Sequence, residues 1–525
     1  MTERNDNREE PGDAGLTTRR QFLGLAGAAG LTILLGGVAG CARENGAIQG
    51  PTRSTASETH RSETTPAAAD PLGPEATAYT SQQLAIMPWA EEPVSTITAD
   101  LCVVGGGAAG MSAATVAANM GTHTVLLEES SVLGGNVTRG LVSFDRVAWG
   151  GDLMVGGFYT DLIRRLAEQG DAVFPGPGTH FTTPCDVDAL RTTALSLALE
   201  AAVDVRFGSK VVWVEVAQRR IVSVFAREHG SLVRVDASLF IDCTGDGNLG
   251  QLAGAGYWVG AREGGALQGQ TLIFCAGPVD FDRLAGYARS EGGQVETYRV
   301  VGLRRFMSEL RRAGEVEGSP QEGLLIDRNM WPDMVSISGS ETYGDHLQPG
   351  GLAPILAVLE RQNRQIHQAL RERVPGFERS RIVRTAERPY LREGRRITGR
   401  HQLTARDIQR ALKPADSIAR GYYPIDLHRN GEVGIVQSVY LSAGDWYGIP
   451  YRCIVARDLD NLLMAGRCIS VTHEALGSTR ISPVSMALGQ AAGIAASLCV
   501  RQGINPADLP ASEVRTELQR QGALV

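Results

Sequence analysis

Residues 99–135 constrain this chain more than any other stretch. Leu101–Val104 is a short apolar run suited to a buried parallel strand, and Gly105, Gly107 and Gly110 follow it in a G-x-G-x-x-G frame. Ala109, Ala113, Ala114 and Ala117 give the next segment a helix face small enough to lie close on a sheet. Val125–Leu127 is a second buried strand, so the unit reads β-α-β. In such a unit one glycine makes the tight turn, one lets a pyrophosphate approach the backbone and one lets helix touch strand. The helix start, with Ala108 and Ala109, offers free N–H groups and a positive dipole end to phosphates. Glu128 ends the second strand, where a carboxylate accepts hydrogen bonds from a ribose hydroxyl. NAD and FAD both fit this frame. A second glycine turn, Gly134-Gly135-Asn136, could touch the same phosphates from the other side and favours FAD. The bland alternative is a glycine turn in an α/β domain that binds nothing.

The length of 525 residues allows about three domains. With 43% hydrophobic and 21% charged residues the chain can bury a sizeable core. A net charge of −7 gives no electrostatic reason to expect nucleic acid or an acidic membrane surface as partner. Lysine occurs only at 210 and 413 and no G-K-[ST] is present, which argues against a Schiff base or a P-loop. None of the eight cysteines forms a C-x-x-C pair, so iron–sulfur and zinc sites lack their usual spacing and no metal is expected.

The N-terminus reads as an export signal over residues 1–41. Thr18-Arg19-Arg20-Gln21-Phe22-Leu23 has the twin-arginine form, and Phe22–Val38 is an apolar run diluted by five glycines. Val38-Ala39-Gly40-Cys41 resembles a bacterial lipobox, whose cysteine is lipidated. A single membrane span is the alternative, but a glycine-rich run of this length is at the short limit for one. Residues 42–98, rich in Ser, Thr, Pro, Ala and Glu, read as a flexible tether. The expected product is an extracytoplasmic protein, membrane-anchored only through Cys41.

The rest of the chain divides into a first part of a dinucleotide-binding domain (99–275), a substrate or cap domain (276–455), a closing part of the first domain (456–500) and a C-terminal helix or tail (501–525). Tyr159–Glu168 and Val187–Ala201 read as helices, and Val203–Phe207 as a strand. Val211–Val216, Ile221–Ala226 and Leu232–Val235 alternate at period two, a three-stranded antiparallel meander. Leu239–Ile241 is a further buried strand ending in Cys243-Thr244-Gly245-Asp246-Gly247. Helical stretches near 281–290, 302–313 and 352–372 mix with strand-like pieces. Leu462–Met464 returns to a buried strand, and Pro483–Val500 is a long small-residue helix with proline in its first turn. The fold class is α/β: a Rossmann-like domain with a parallel sheet and a β-meander, carrying an inserted α+β domain.

Four separated blocks together resemble one family. They are Val103–Gly135; Phe240–Gly247; Tyr451-Arg452-Cys453 with Asn461–Gly493, including Ala465-Gly466-Arg467-Cys468 and His473-Glu474-Ala475-Leu476-Gly477-Ser478; and Arg392-Glu393-Gly394-Arg395-Arg396-Ile397, where Gly394 stands in place of the more usual Ser or Thr. They are similar to the FAD-dependent oxidoreductases of the glutathione-reductase-like superfamily, distant relatives of the fumarate reductase flavoproteins. The resemblance covers roughly 99–250 and 380–500. It implies FAD along the first domain, with Gly105, Gly107, Gly110, Glu128, Gly134, Gly135 and Asn136 holding the ADP half. It further implies Val211 at the adenine through its backbone, Thr244, Gly245 and Asp246 beside the pyrophosphate, and Gly466 with the start of the 483 helix (Val484) facing the flavin. The segment after Gly135 has no histidine where relatives that bind FAD covalently place one, so the FAD is expected to be non-covalent.

Three residues are candidates for the chemistry. His473, in the block bordering the flavin, could take a proton as hydride leaves a substrate, or merely hydrogen-bond its loop. Arg392, Arg395, Arg396, Arg400 and His401 concentrate positive charge; Arg395 is the candidate clamp for an anionic substrate, against the alternative of a salt-bridged surface segment. Arg480, just before the flavin-facing helix, could serve flavin or substrate. The expected activity is hydride transfer between a small organic substrate, an anionic one where Arg395 clamps it, and FAD, with an electron acceptor that the residues do not name. The alternatives are an FAD-containing lyase or isomerase without net redox, and a lipid-anchored binding protein on a flavin fold.

Overall fold

The structure is a computed structural model describing residues 92–525, except 143, 146, 150, 176–181, 262–264, 319–320 and 430–439. The expected signal, Cys41 and the tether up to residue 91 lie outside the described residues. In chain order the first strands are β1 (Ser95–Val104), β2 (Thr124–Glu128), β3 (Asp204–Phe207), β4 (Ser209–Ala217), β5 (Arg220–Glu228) and β6 (Ser231–Asp242). The chain then makes β7 (Phe274–Gly277), β8 (Gln294–Val295), β9 (Arg299–Gly302), β10 (Leu324–Arg328), β11 (Val335–Ser338) and β12 (Arg381–Thr385), and returns with β13 (Leu462–Met464).

The first sheet runs β3-β2-β1-β6-β5-β4, with β13 also paired to β6. Its β3, β2, β1, β6 and β13 pairings are parallel, while β6-β5 and β5-β4 are antiparallel. The two strands expected at 232–235 and 239–241 are a single twelve-residue strand, β6. Its first half pairs antiparallel with β5 (Ser231–Asp236) and its end pairs with β13 (Phe240–Asp242), while β1 runs beside nearly all of it. That pairing also draws β1 back to Ser95, into the stretch that composition alone assigned to the tether.

Helix α1 (Ala108–Asn119) follows the glycine turn, and α2 (Ser482–Gln502) packs against it. The two backbones come so close that a Cβ on Gly489 or Gly493 would collide with the carbonyl oxygen of Ala109 or Ala113. Ser112 Oγ donates to Met486 O across this contact at 2.8 Å. Helix α2 is long and apolar enough to cross a membrane, but 83% of its most apolar window is buried inside the fold.

The second sheet, order β8-β9-β10-β11-β7-β12, is antiparallel throughout. With helices Phe281–Ser290, Arg304–Ala313 and Leu352–Arg373 it encloses its own core, which includes Phe274, Phe306, Ile337, Ile366 and Phe377. Ile397, Ile418, Tyr447 and Ile449 instead join the first core. Tyr257–Val259 pairs with Arg395–Ile397 and ties that segment to the first core.

Candidate active site

A cavity of about 490 Å³ opens at the C-terminal ends of β1, β2 and β6. The glycine turn forms one wall. Gly105 has φ +98°, a conformation that side chains rarely adopt, and a Cβ on Gly110 would collide with the Gly105 carbonyl oxygen. Gly110 therefore serves the strand–helix contact and does not line the cavity, whereas Gly105, Gly107, Ala108 and Ala109 do. Gly107 is the N-cap of α1 and offers no side chain to the helix's first N–H groups, which stay available to a ligand.

Glu128 lies at the end of β2 and also lines the cavity. Its carboxylate accepts from Gly106 N (2.6 Å), Ser130 N (2.8 Å) and Ser130 Oγ (2.6 Å), so it holds the glycine turn as well as facing the cavity. Gly135 and Asn136 line the cavity; Gly134 sits behind them, its N–H donating to Gly106 O at 2.8 Å. Val211 lines the far end with Ser209 and Lys210.

The turn after β6 forms the opposite wall through Thr244, Gly245 and Asp246. Asp242, fully buried, organises it by accepting from Thr244 N, Thr244 Oγ1 and Gly250 N at 2.7–3.0 Å. Burial pushes the Asp246 carboxyl up, but Arg467 at 3.0 Å, His346 at 3.5 Å and Arg388 outweigh it and hold the group below the ordinary carboxylate range. Gly394 has a reason in this geometry: a Cβ there would collide with Asp246 Oδ1. Gly466 lines the cavity, and so do Ser482 and Ser485 at the start of α2. Val484 does not; it is fully buried, and the helical period turns it into the core while the two serines face the cavity.

Of the charged lining residues, Arg139, Lys210 and Arg388 were not singled out as site residues in the sequence. Arg139, Lys210, Arg388, Arg467 and Arg480 line the cavity against three carboxylates, Glu128, Glu129 and Asp246. Arg139 and Arg480 are paired off the lining with Glu387 and Asp426, which leaves Lys210, Arg388 and Arg467 as the cations facing the cavity. Arg467 Nη1 is a buried donor with no partner among the described residues, a position an anionic oxygen would satisfy. Open helix N-termini, the orphaned guanidinium nitrogen and the carboxylate at the end of β2 together fit a dinucleotide.

A second cavity of about 210 Å³ lies beside β9–β11. Arg480 lines both cavities. Its guanidinium donates to Tyr390 Oη and, at 2.7 Å, to Asp426 Oδ2. Burial works against the Arg480 charge, but Tyr390, Asp426 and Tyr423 outweigh it and hold the group above its ordinary range. Asp426 is pushed up by burial and pulled further down by His428, Arg480 and Arg392. Tyr390, Asp426 and His428 were not singled out in the sequence, because no spacing links them; only the fold brings them to Arg480.

His473 and Arg395 line neither cavity. His473 is buried with Nδ1 2.9 Å from Glu393 Oε1, and Arg396 bonds the same carboxylate, so that acid draws the histidine away from the cavity wall. Arg395 stacks over Tyr257 at 5.7 Å and donates to Asp246 O (3.3 Å) and Asn248 Oδ1 (3.0 Å), bracing the cavity from outside. The fold joins the arginine segment to His473 through Glu393, and it is Arg480, not His473 or Arg395, that lines the cavities.

Residues 100–518 match the family described as FAD dependent oxidoreductase. The chain belongs to that family. The protein is accordingly an FAD-dependent oxidoreductase with FAD as its cofactor. A stretch of 81 residues, 15% of the oxidoreductase, is 37% identical to an NADH:acrylate oxidoreductase of Vibrio harveyi; the match spans 8% of that relative's length. Among solved structures, the oxidoreductase resembles a geranylgeranyl bacteriochlorophyll reductase-like protein from Thermoplasma acidophilum. That match has 13% identity, covers 81% of this chain and 84% of that one, and has a TM-score of 0.42. A flavin-dependent brominase matches with 11% identity, the same coverages and a TM-score of 0.43.

Proposed function

We propose that this oxidoreductase passes a hydride between a small organic, anionic substrate and a non-covalently held FAD, within the glutathione-reductase-like superfamily. The observation that carries the reading is Arg480, which lines both the dinucleotide-sized cavity and the smaller one beside it. A substrate in the second cavity would thus sit next to the end of the first. When bound, FAD supplies reversible two-electron chemistry at its ring.

The chain's own residues hold and orient. Gly107, Ala108 and Ala109 present the α1 N-terminus to the diphosphate, with Gly105 and Gly110 shaping the turn. Glu128 takes a ribose hydroxyl, and Gly134, Gly135 and Asn136 complete the ADP half. Val211 meets the adenine through its backbone, Thr244, Gly245 and Asp246 border the diphosphate, and Gly466 with the Val484 turn of α2 faces the ring. Arg480 contacts the substrate. Arg395 acts on the cavity through Asp246 and Asn248, and His473 acts through Glu393, both as positioning residues. The name of the Vibrio harveyi relative, NADH:acrylate oxidoreductase, supports a small organic acid. The twin-arginine signal and Cys41 support export of the protein with its cofactor and anchoring through lipid.

An anaerobic screen of the purified protein against small acids, alcohols and sugars, read by flavin absorbance, tests this reading. Bleaching by an organic acid is the expected result. Turnover with the flavin oxidation state unchanged would make it a lyase or isomerase, and a protein purified without FAD would overturn it.

A further inference from the structure

The smaller cavity has a chemical bias of its own. Four guanidiniums line it, those of Arg299, Arg304, Arg392 and Arg480, against the carboxylates of Glu322, Asp327 and Asp426. Arg299 and Asp327 neutralise each other at 2.5 Å on one wall, and Arg304 lies 3.4 Å from Glu322. Arg480 is bonded to Asp426, which leaves Arg392 without a carboxylate partner on the lining. Glu341, behind the lining, is 3.7 Å from Arg392 but 2.6 Å from His428 Nδ1, not aligned there for a hydrogen bond, and so divides its charge between the two.

Among the described residues, two unpartnered guanidinium donors lie on the same wall, beside one unpartnered acceptor, Asp426 Oδ1. Arg392 and Arg480 are 4% and 5% exposed, and the Nε of each has no hydrogen-bond partner among the described residues. Tyr390 lies between them, with the guanidinium carbons of Arg392 and Arg480 at 5.2 and 5.5 Å from its ring centre. An arginine can only donate, so in the Arg480–Tyr390 bond the phenol oxygen is the acceptor. The Tyr390 proton is therefore left for another acceptor. Buried donors without acceptors are costly, and a ligand rich in acceptor oxygens is what relieves them. The volume, near 210 Å³, is below the roughly 300–1,000 Å³ of sites for drug-sized ligands.

We propose that this cavity is a carboxylate subsite: Arg392 and Arg480 take the carboxylate of a small acid, and the Tyr390 hydroxyl donates to it. This rests on the oxidoreductase reading above and narrows its substrate to molecules of a few carbons bearing one carboxylate.

The test is calorimetric titration of the FAD-loaded protein with acetate, propionate and butyrate, and with propionamide and 1-propanol as uncharged counterparts. At least one carboxylate should bind saturably and at least tenfold more tightly than its amide or alcohol. Arg392→Gln should weaken that binding tenfold or more. Tyr390→Phe, which keeps the ring beneath both guanidiniums, should weaken it about three- to tenfold. Equal binding of charged and uncharged ligands, no carboxylate binding at all, or binding indifferent to both substitutions would overturn the subsite. The wild-type comparison stands alone if Arg392→Gln does not fold. A protein that retains FAD and is bleached by a non-carboxylate substrate would sink the subsite and leave the oxidoreductase reading intact.

Discussion

Replacing Glu128 by alanine probes the coupling between the glycine turn and the cofactor. The carboxylate accepts three hydrogen bonds, from Gly106 N, Ser130 N and Ser130 Oγ, all at 2.6–2.8 Å, and is only 7% exposed. Two consequences follow from its removal. The Gly106 N–H, in the turn between β1 and α1, loses its acceptor, which costs about 1–3 kcal/mol where water cannot replace it. The ribose hydroxyl proposed to bind Glu128 would lose its partner as well, a loss of the same order. Part of the first cost is present with and without FAD, so it lowers stability and only the remainder lowers affinity. We expect FAD binding to weaken by about 1–3 kcal/mol, roughly 5–150-fold in Kd. Glu128→Gln should recover little, since its amide nitrogen would face one of the N–H donors. Titrating apoprotein with FAD and following flavin fluorescence measures the change. An affinity within twofold of the parent, in a variant that melts normally, would show that Glu128 does not bear on the dinucleotide.

The remaining predictions concern ion pairs and export. Asp246 is held below the ordinary carboxylate range, so its stabilising contribution is complete above the unfolded value of about 3.9 and is lost only as pH falls through the lower folded value. The urea midpoint gap between parent and Asp246→Asn should accordingly stay constant from about pH 5 to 8 and close in acid; a gap that closes near neutrality would refute this. The buried Arg299–Asp327 pair, at 2.5 and 3.0 Å, predicts a loss of about 3–5 kcal/mol for Asp327→Ala and a far smaller loss for the double change to Met and Leu. Equilibrium unfolding decides it, and equal losses in both variants would count against a desolvated pair. Changing Arg19 and Arg20 to lysine should strand the FAD-loaded precursor in the cytoplasm, and Cys41→Ser should abolish lipid labelling; fatty acid still incorporated into the serine form would end the lipobox reading.

Short-range order determined much of this protein. The β-α-β unit, the meander and the small-residue helix near 483–500 are legible because burial on both faces of a parallel strand, alternation at period two and close backbone packing each impose a local residue pattern. The glycines of the turn are legible for the same reason, since a positive φ at Gly105 and the Gly110 contact with Gly105 leave no room for a side chain. Tertiary structure decided the rest. That residues 231–242 form one strand depends on β1 lying beside them. That Arg480 joins Tyr390 and Asp426 depends on segments 90 and 54 residues away folding onto the same wall. Local sequence carries no imprint of such a contact, because a charged side chain looks the same whether it is solvated or paired. His473 and Arg395 carry the same lesson: their residue types suit catalysis, but Glu393, Asn248 and Tyr257 compete for them, and only three-dimensional proximity settles which partner wins.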